Sequence, residues 1–228
     1  MDSDDIVSRM RCGLALLKNQ APNAFDIVDR LQEIGPVALF GGALRGWALC
    51  GPERRPRDLD LVVESEDHGR LESTLAPYSP IKNSFGGFRM FIEPCPLDVW
   101  LLSDTHALRG KGGLTLAMLP QTTFFNLDAA AMDAGSGDAW LLPTYALDAA
   151  NRVLDINREE NPNPMRMLVR AIRLASDYDL SISPRLIKYM AGVVGKHEEK
   201  DVLRVAEADC HGPVPAWLGK AIALQFSA

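Results

Sequence analysis

At 228 residues, with 47% hydrophobic and 24% charged side chains, the chain has the make-up of an ordinary soluble globular protein: one sizeable domain, or a domain with a small helical extension. Net charge is −6 and unevenly carried, with 11 Lys/Arg against 10 Asp/Glu in residues 151–228 and 13 against 20 in residues 1–150. That balance is unlike a dedicated nucleic-acid binder with a basic face, and no apolar run approaches the roughly 18 residues of a membrane span.

Four scattered cysteines, Cys12, Cys50, Cys95 and Cys210, form no CxxC pair, which suits reduced structural thiols. The start, MDSDDIVSRM, is acidic and lacks the apolar core of a signal peptide. A cytoplasmic protein without a membrane partner is the expectation.

Apolar residues recur at helical spacing over 4–19 and 22–34, with Pro22 well placed at the start of the second helix. Gly35-Pro36 breaks the pattern, and Val37 to Phe40 is a short, wholly apolar run that suits a buried central strand. Gly41-Gly42 ends it. Ala43 to Cys50 continues as a helix, and a basic loop, Glu53 to Arg57, leads into a strand over Asp58 to Glu64. Asp67 to Leu75 predicts a helix with an aspartate cap. Two strands follow, 81–84 and 88–93, around a Phe85-Gly86-Gly87 hairpin signal, and then the strand Leu97 to Leu102.

Residues 103–121 contain Arg109-Gly110-Lys111-Gly112-Gly113 and read as a mobile loop. Asn126-Leu127-Asp128 precedes an alanine-rich turn of helix, and 139–142 reads as a short edge strand. From Asn163 onward the pattern is helical, over 164–178 and near 184–194, 198–208 and 215–225. The order predicts an α/β (α+β) head over residues 1–150, a mixed β-sheet flanked by helices, followed by a small all-helical domain over 151–228.

The chemistry concentrates in Phe40 to Val63, FGGALRGWALCGPERRPRDLDLVV, and in Asp98 of LDVWLL. Asp58 and Asp60 stand at i and i+2 of a strand and so share a face. Leu59, Leu61, Val62 and Val63 make that strand largely buried, so two carboxylates there need compensation. A metal is the natural compensator, and the loop arginines 54, 55 and 57 are the rival. Nucleotide transfer to a hydroxyl needs a neutralised triphosphate and an acidified nucleophile, which two Mg²⁺ ions held by three carboxylates supply. In that layout Asp58 and Asp60 ligate both ions, and Asp98 completes the ion that binds the attacking hydroxyl. Gly41 and Gly42 allow close approach of the backbone to phosphate, the following helix start adds a favourable dipole, and Arg45 is a charged donor within reach of phosphate. Taken singly, a DxD is more often a solvated strand end and a Gly-Gly only a turn. Their combination in order carries the reading. Trp47 and Trp100 lie inside apolar elements and read as core.

The segment GGALRGWALCGPERRPRDLDLVV resembles the head-domain signature of tRNA CCA-adding enzymes and bacterial poly(A) polymerases, in the polymerase-β-like nucleotidyltransferase superfamily. TTFFNLDAAAMD resembles the family segment RRDFTINALA, with Asn126 at its Asn. NPNPMRMLVRAIRLASDYDLSISPRLIKYM resembles the neck segment, with Arg166 and Arg170 at its first two arginines if Val169 is a one-residue insertion. The likeness covers roughly residues 35–195 and stops short of the long body and tail of those enzymes.

The resemblance implies a five-stranded mixed sheet with helices, Mg²⁺ dependence, an NTP substrate (ATP or CTP), and nucleotide contacts from Asn126, Arg166 and Arg170. Departures are equally specific. Gly46 replaces the family's Asp after the Arg, and Pro120, Gln121 and Thr122 replace its Arg-Arg-Asp. Pro162 and Asn163 replace the acidic pair tied to base choice, leaving Arg166 without its usual carboxylate partner. These departures leave the base open and speak against CCA synthesis. Three functions follow: a nucleotidyltransferase acting on an RNA (tRNA-like) 3′ end, an enzyme that nucleotidylates a small molecule or a protein (toxin/antitoxin-like or antibiotic-modifying), or an inactive nucleotide-binding module.

Overall fold

Helix α1 (Ser3–Gln20) begins where Asp2 and Asp5 each accept the other's main-chain N–H, at 2.8 and 3.2 Å, a capping box with acid at the positive end of the helix dipole. Helix α2 (Pro22–Gln32) starts on Pro22, whose missing N–H costs nothing at a first helical position. Strand β1 (Val37–Phe40) and helix α3 (Gly42–Cys50) follow. A Cβ on Gly13 of α1 would lie 2.4 Å from the Trp47 ring of α3, so the close passage of these helices depends on glycine. Trp47 is fully buried, and its indole N–H donates to the Arg54 carbonyl at 3.0 Å, which pins the loop entering β2 (Leu59–Val63). Helix α4 (His68–Leu75) is capped by Asp67, as its sequence predicts. The structure is a computed structural model that describes residues 2–83, 86–210 and 213–226; Ser84 and Phe85 of the expected hairpin lie outside the described residues.

Strands β3 (Ile81–Lys82), β4 (Phe88–Met90), β5 (Leu97–Leu101), β6 (Ala130–Asp133) and β7 (Ala139–Leu141) complete a mixed sheet of seven, in the order β3-β4-β5-β2-β1-β6-β7. Only β2 and β5 run parallel within it. The mixed sheet flanked by helices is the predicted fold class, with seven strands where the resemblance implies five; the two edges, β3 and β7, have two and three residues.

The alanine-rich stretch expected to be helical is instead β6, hydrogen-bonded between β1 and β7. Ala130, Ala131 and Met132 are buried there, and pairing on both sides overrides the alanines' helix preference. Residues 102–122 hold three 3₁₀ turns (Leu102–Asp104, His106–Leu108, Leu116–Thr122), with irregular chain mainly over 109–115. They bury Leu102, Leu108, Leu116 and Leu119 against Ala38, Val62 and Ala131 on one sheet face. The Glu64 carboxylate accepts the Leu116 N–H at 2.9 Å and fixes that cover. Leu39, Leu61, Val63 and Val99 alternate to the opposite face and are fully buried.

After α5 (Tyr145–Asn151) come β8 (Val153–Leu154), α6 (Pro164–Tyr178), β9 (Ser181–Ile182), α7 (Pro184–Val194), α8 (Glu199–Cys210) and α9 (Ala216–Phe226). The chain divides into two compact units, Met1–Thr123 with Leu127–Ala150, and Phe124–Asn126 with Asn151–Ala228. The second is not wholly helical, because β8 and β9 pair in parallel. That pairing joins segments nearly thirty residues apart, which local periodicity does not register. Helix α6 buries Met167, Leu168, Ala171, Ile172 and Leu174 along one stripe, and its Asn163 cap accepts the Arg166 N–H at 3.0 Å. Among the described residues no helix is long and apolar enough to cross a membrane.

Candidate active site

The parallel register of β2 and β5 sets Asp60 beside Asp98. The antiparallel partners extend the row to Arg89 of β4 on one side and Phe40 of β1 on the other. Residues paired across strands share a face, so Arg89, Asp98, Asp60 and Phe40 line one face in that order. Asp58, two residues before Asp60, joins them. The side chains of Asp58 and Asp98 are 19% and 21% exposed, so both are sheltered yet open to solvent.

Two arginines compensate this charge. Arg89 Nη1 lies 3.5 Å from Asp98 Oδ2 and its Nη2 3.9 Å from Asp58 Oδ2, while Arg57 Nη2 donates to Asp58 Oδ2 at 3.2 Å. The loop rival expected from sequence therefore acts through Arg57, and the second cation comes from Arg89 of β4. Burial pushes the Asp98 carboxyl up from its ordinary range, against the pull of Arg89; the Asp58 charge adds to the rise, and Arg57 opposes it. Cys95, buried in the turn before β5, has its thiol pushed up by burial and then by the Asp58 charge, which suits a protonated, structural thiol.

Asp58 and Asp98 already converge on one cation, the Arg89 guanidinium, and carboxylate oxygens are the donors that a hard divalent ion prefers. The donor chemistry fits Mg²⁺. Among the described residues, however, no three His, Cys, Asp or Glu side chains are gathered into a ready metal cage.

The glycine turn abuts this row. Gly41 has φ +68°, a left-handed conformation that side chains resist, and its Cβ position lies 3.8 Å from Asp60 Oδ2. Arg45 does not project into the open site. It is 7% exposed and ion-paired with Asp128, beneath the turn, with one guanidinium nitrogen 3.7 Å from the Cβ position of Gly42. The pair joins the β1–α3 turn to the segment entering β6.

Asn126, Arg166 and Arg170 belong to the second unit. The Asn126 carboxamide clasps the main chain of 153–155: Nδ2 donates to the Val153 carbonyl at 3.0 Å and Oδ1 accepts the Asp155 N–H at 2.9 Å. Arg166 pairs with a carboxylate from elsewhere in the fold; Asp209 of α8 lies 2.8 Å from its Nε. Asp209 and Asp128 escaped the sequence reading because each is matched to its arginine only by folding. Arg89 left a faint signal, the alternation Phe88-Arg89-Met90, which places it opposite Asp98 once the 91–96 turn is closed symmetrically.

The fold is the one seen in CCA-adding enzymes and tRNA nucleotidyltransferases. One CCA-adding enzyme, solved with ATP, matches with a TM-score of 0.66 and 18% identity over 93% of this chain and 54% of that one. The Thermotoga maritima CCA-adding enzyme complexed with tRNA gives 0.62 and 17% over 89% and 51%. A tRNA nucleotidyltransferase complexed with a primer tRNA and an incoming ATP analogue gives 0.59 and 15% over 80% and 55%. The chain thus spans about half the length of these proteins, and at such identities the likeness is one of fold. No protein-family model matches the sequence, and no curated protein does.

Proposed function

We propose that this protein is a nucleotidyltransferase that moves a nucleoside monophosphate from an NTP, ATP or CTP, to an acceptor hydroxyl at an RNA 3′ end of the tRNA kind. The observation that carries the proposal is the in-register pair Asp60–Asp98, joined by Asp58 and bordered by the Gly41 turn. It lies in a fold whose solved examples hold ATP, CTP and tRNA. Residues 1–150 form the catalytic head in this reading, and 151–228 a neck-like domain.

Asp58, Asp60 and Asp98 would hold two Mg²⁺ ions, which when bound neutralise the triphosphate and acidify the acceptor hydroxyl. Gly42 opens α3, where a helix start favours phosphate, while Gly41, whose N–H is given to the Ala130 carbonyl at 3.1 Å, shapes the turn. Arg45, held under that turn by Asp128, acts in this reading from beneath the phosphate and fixes the turn's shape. Asn126 holds its segment in place through its clasp on 153–155, and Arg166 and Arg170 of α6 contact the base, with Asp209 orienting Arg166.

The −7 balance of residues 1–150, 13 Lys/Arg against 20 Asp/Glu, favours a second reading in which the acceptor is a small molecule or a protein. The test is a transfer assay with Mg²⁺ and each α-labelled NTP, offered total RNA or an RNA-free extract. Label on RNA that is lost in Asp60→Ala, with the circular dichroism spectrum unchanged, is expected. Label only in the extract would transfer the proposal to the small-acceptor reading, and undiminished label in Asp60→Ala would remove the carboxylate site altogether.

A further inference from the structure

We infer that Arg89 is the built-in counter-ion of the carboxylate row, holding Asp58 and Asp98 together before a divalent cation arrives and competing with that cation for them. The inference rests on the metal role proposed for these aspartates. Arg89 is the only cation among the described residues for which ion pairs to both Asp58 and Asp98 are seen, at 3.9 and 3.5 Å, and its strand register to Asp98 keeps its main chain beside them. Arg57 touches Asp58 alone.

The contact is electrostatic and loose. Both separations exceed the 2.7–2.9 Å of a charge-assisted hydrogen bond, and the Arg89 side chain is 34% exposed. Pairs of this kind are weak and exchange readily. A divalent ion concentrates twice the charge in a far smaller volume, so it displaces a guanidinium from shared carboxylate oxygens. The guanidinium already has a second partner beside the carboxylates, one that a divalent ion does not compete for. Its Cζ lies 5.9 Å from the ring centroid of Phe91, two residues along the same strand direction, and that ring is 70% exposed. The ring face is a cation–π resting place for the guanidinium. Arg89 is thus a positioning residue: it keeps the Asp58 and Asp98 charges from splaying apart and sets the affinity at which the cation enters.

The experiment is Mn²⁺ binding to the full chain without nucleotide, read from free Mn²⁺ by electron paramagnetic resonance. It compares the parent protein, Arg89→Met, Arg89→Lys and Arg57→Met. Arg89→Met should bind Mn²⁺ about tenfold more tightly, the gain from losing two weak pairs that the ion must otherwise break. It should melt at a lower temperature than the parent without metal and show a larger rise when Mn²⁺ is added. Arg89→Lys should stay close to the parent, and Arg57→Met should shift affinity less than Arg89→Met. Parent-like or weaker Mn²⁺ binding by Arg89→Met overturns the inference while leaving the carboxylate metal site standing. Absence of Mn²⁺ binding in every protein overturns both. Should Arg89→Met fail to fold, Arg89→Gln, which keeps a polar end at this half-exposed position, serves as the same test.

Discussion

Asp98 is a carboxylate whose ionisation the fold resists: burial raises it, and Asp58 adds to the rise, outweighing Arg89 and Arg57. A raised folded-state value means that the stability linked to this group is fully present below the ordinary carboxylate range and is lost as pH rises through the raised value. At neutral pH ionised Asp98 therefore works against folding, and the cost is what a bound cation would offset. Asp98→Asn cannot ionise. Its melting temperature should equal or exceed the parent's at pH 7, and the difference should shrink as pH falls toward about 4, where unfolded Asp is itself protonated. Transfer activity should be lost throughout. Thermal melts across that range decide it, and a lower melting temperature at pH 7 would mean that the Arg89 pair outweighs burial. At this scale the sequence was legible where a function depends on neighbours in the chain: Asp58 and Asp60 alternate on one strand, and Gly41-Gly42 sit at its partner's end. Arg89, Asp128 and Asp209 were not legible, because each meets its partner across the fold.

Among the elements, the α1–α3 contact is built on a missing side chain. An alanine in mid-helix is normally better than glycine by roughly 1 kcal/mol, but a Cβ at Gly13 would stand 2.4 Å from the Trp47 ring. Trp47 is itself fixed by its bond to the Arg54 carbonyl, so it cannot retreat without disturbing the loop that delivers Asp58. Gly13→Ala should cost about 1–3 kcal/mol, as overpacking of a filled core does. Gly192 of α7 has nothing within 4 Å of its Cβ position, so Gly192→Ala should stabilise by roughly 0.5–1 kcal/mol. Urea midpoints of the two variants must move in opposite directions; movement in the same direction would show that helix preference or loss of rigidity, and not the Trp47 contact, decides both. Long periodic helices such as Pro164–Tyr178 are legible because packing and local pattern agree along fifteen residues. Strand β6 and the pairing of β8 with β9 are not, since each exists only through a distant neighbour. The buried 102–122 segment hid behind its glycines, while its spaced leucines were the signal that it packs.

For the whole molecule, the question is how a chain of net charge −6 would hold an RNA end. Residues 151–228 are nearly neutral and residues 1–150 strongly acidic, so net charge supplies no general affinity for RNA. The local exception is the loop Arg54, Arg55 and Arg57, which runs directly into Asp58 and is held by the Trp47–Arg54 bond. Arg57 is engaged by Asp58, whereas Arg55 is exposed on that loop. An RNA acceptor reaching Asp58 would bring phosphates to this loop, and each phosphate met by a cation releases counter-ions. RNA binding should therefore weaken with salt only modestly, and Arg55→Gln should flatten the slope of log K against log salt by about 0.7, the single-strand value for one phosphate contact. The measurement is a salt titration of fluorescently labelled RNA binding, parent against variant. A slope unchanged by Arg55→Gln would place the acceptor's phosphates elsewhere. A parent slope near zero would mean that no phosphates are met at all, and the small-acceptor reading would then be the one that the charge distribution had favoured from the start.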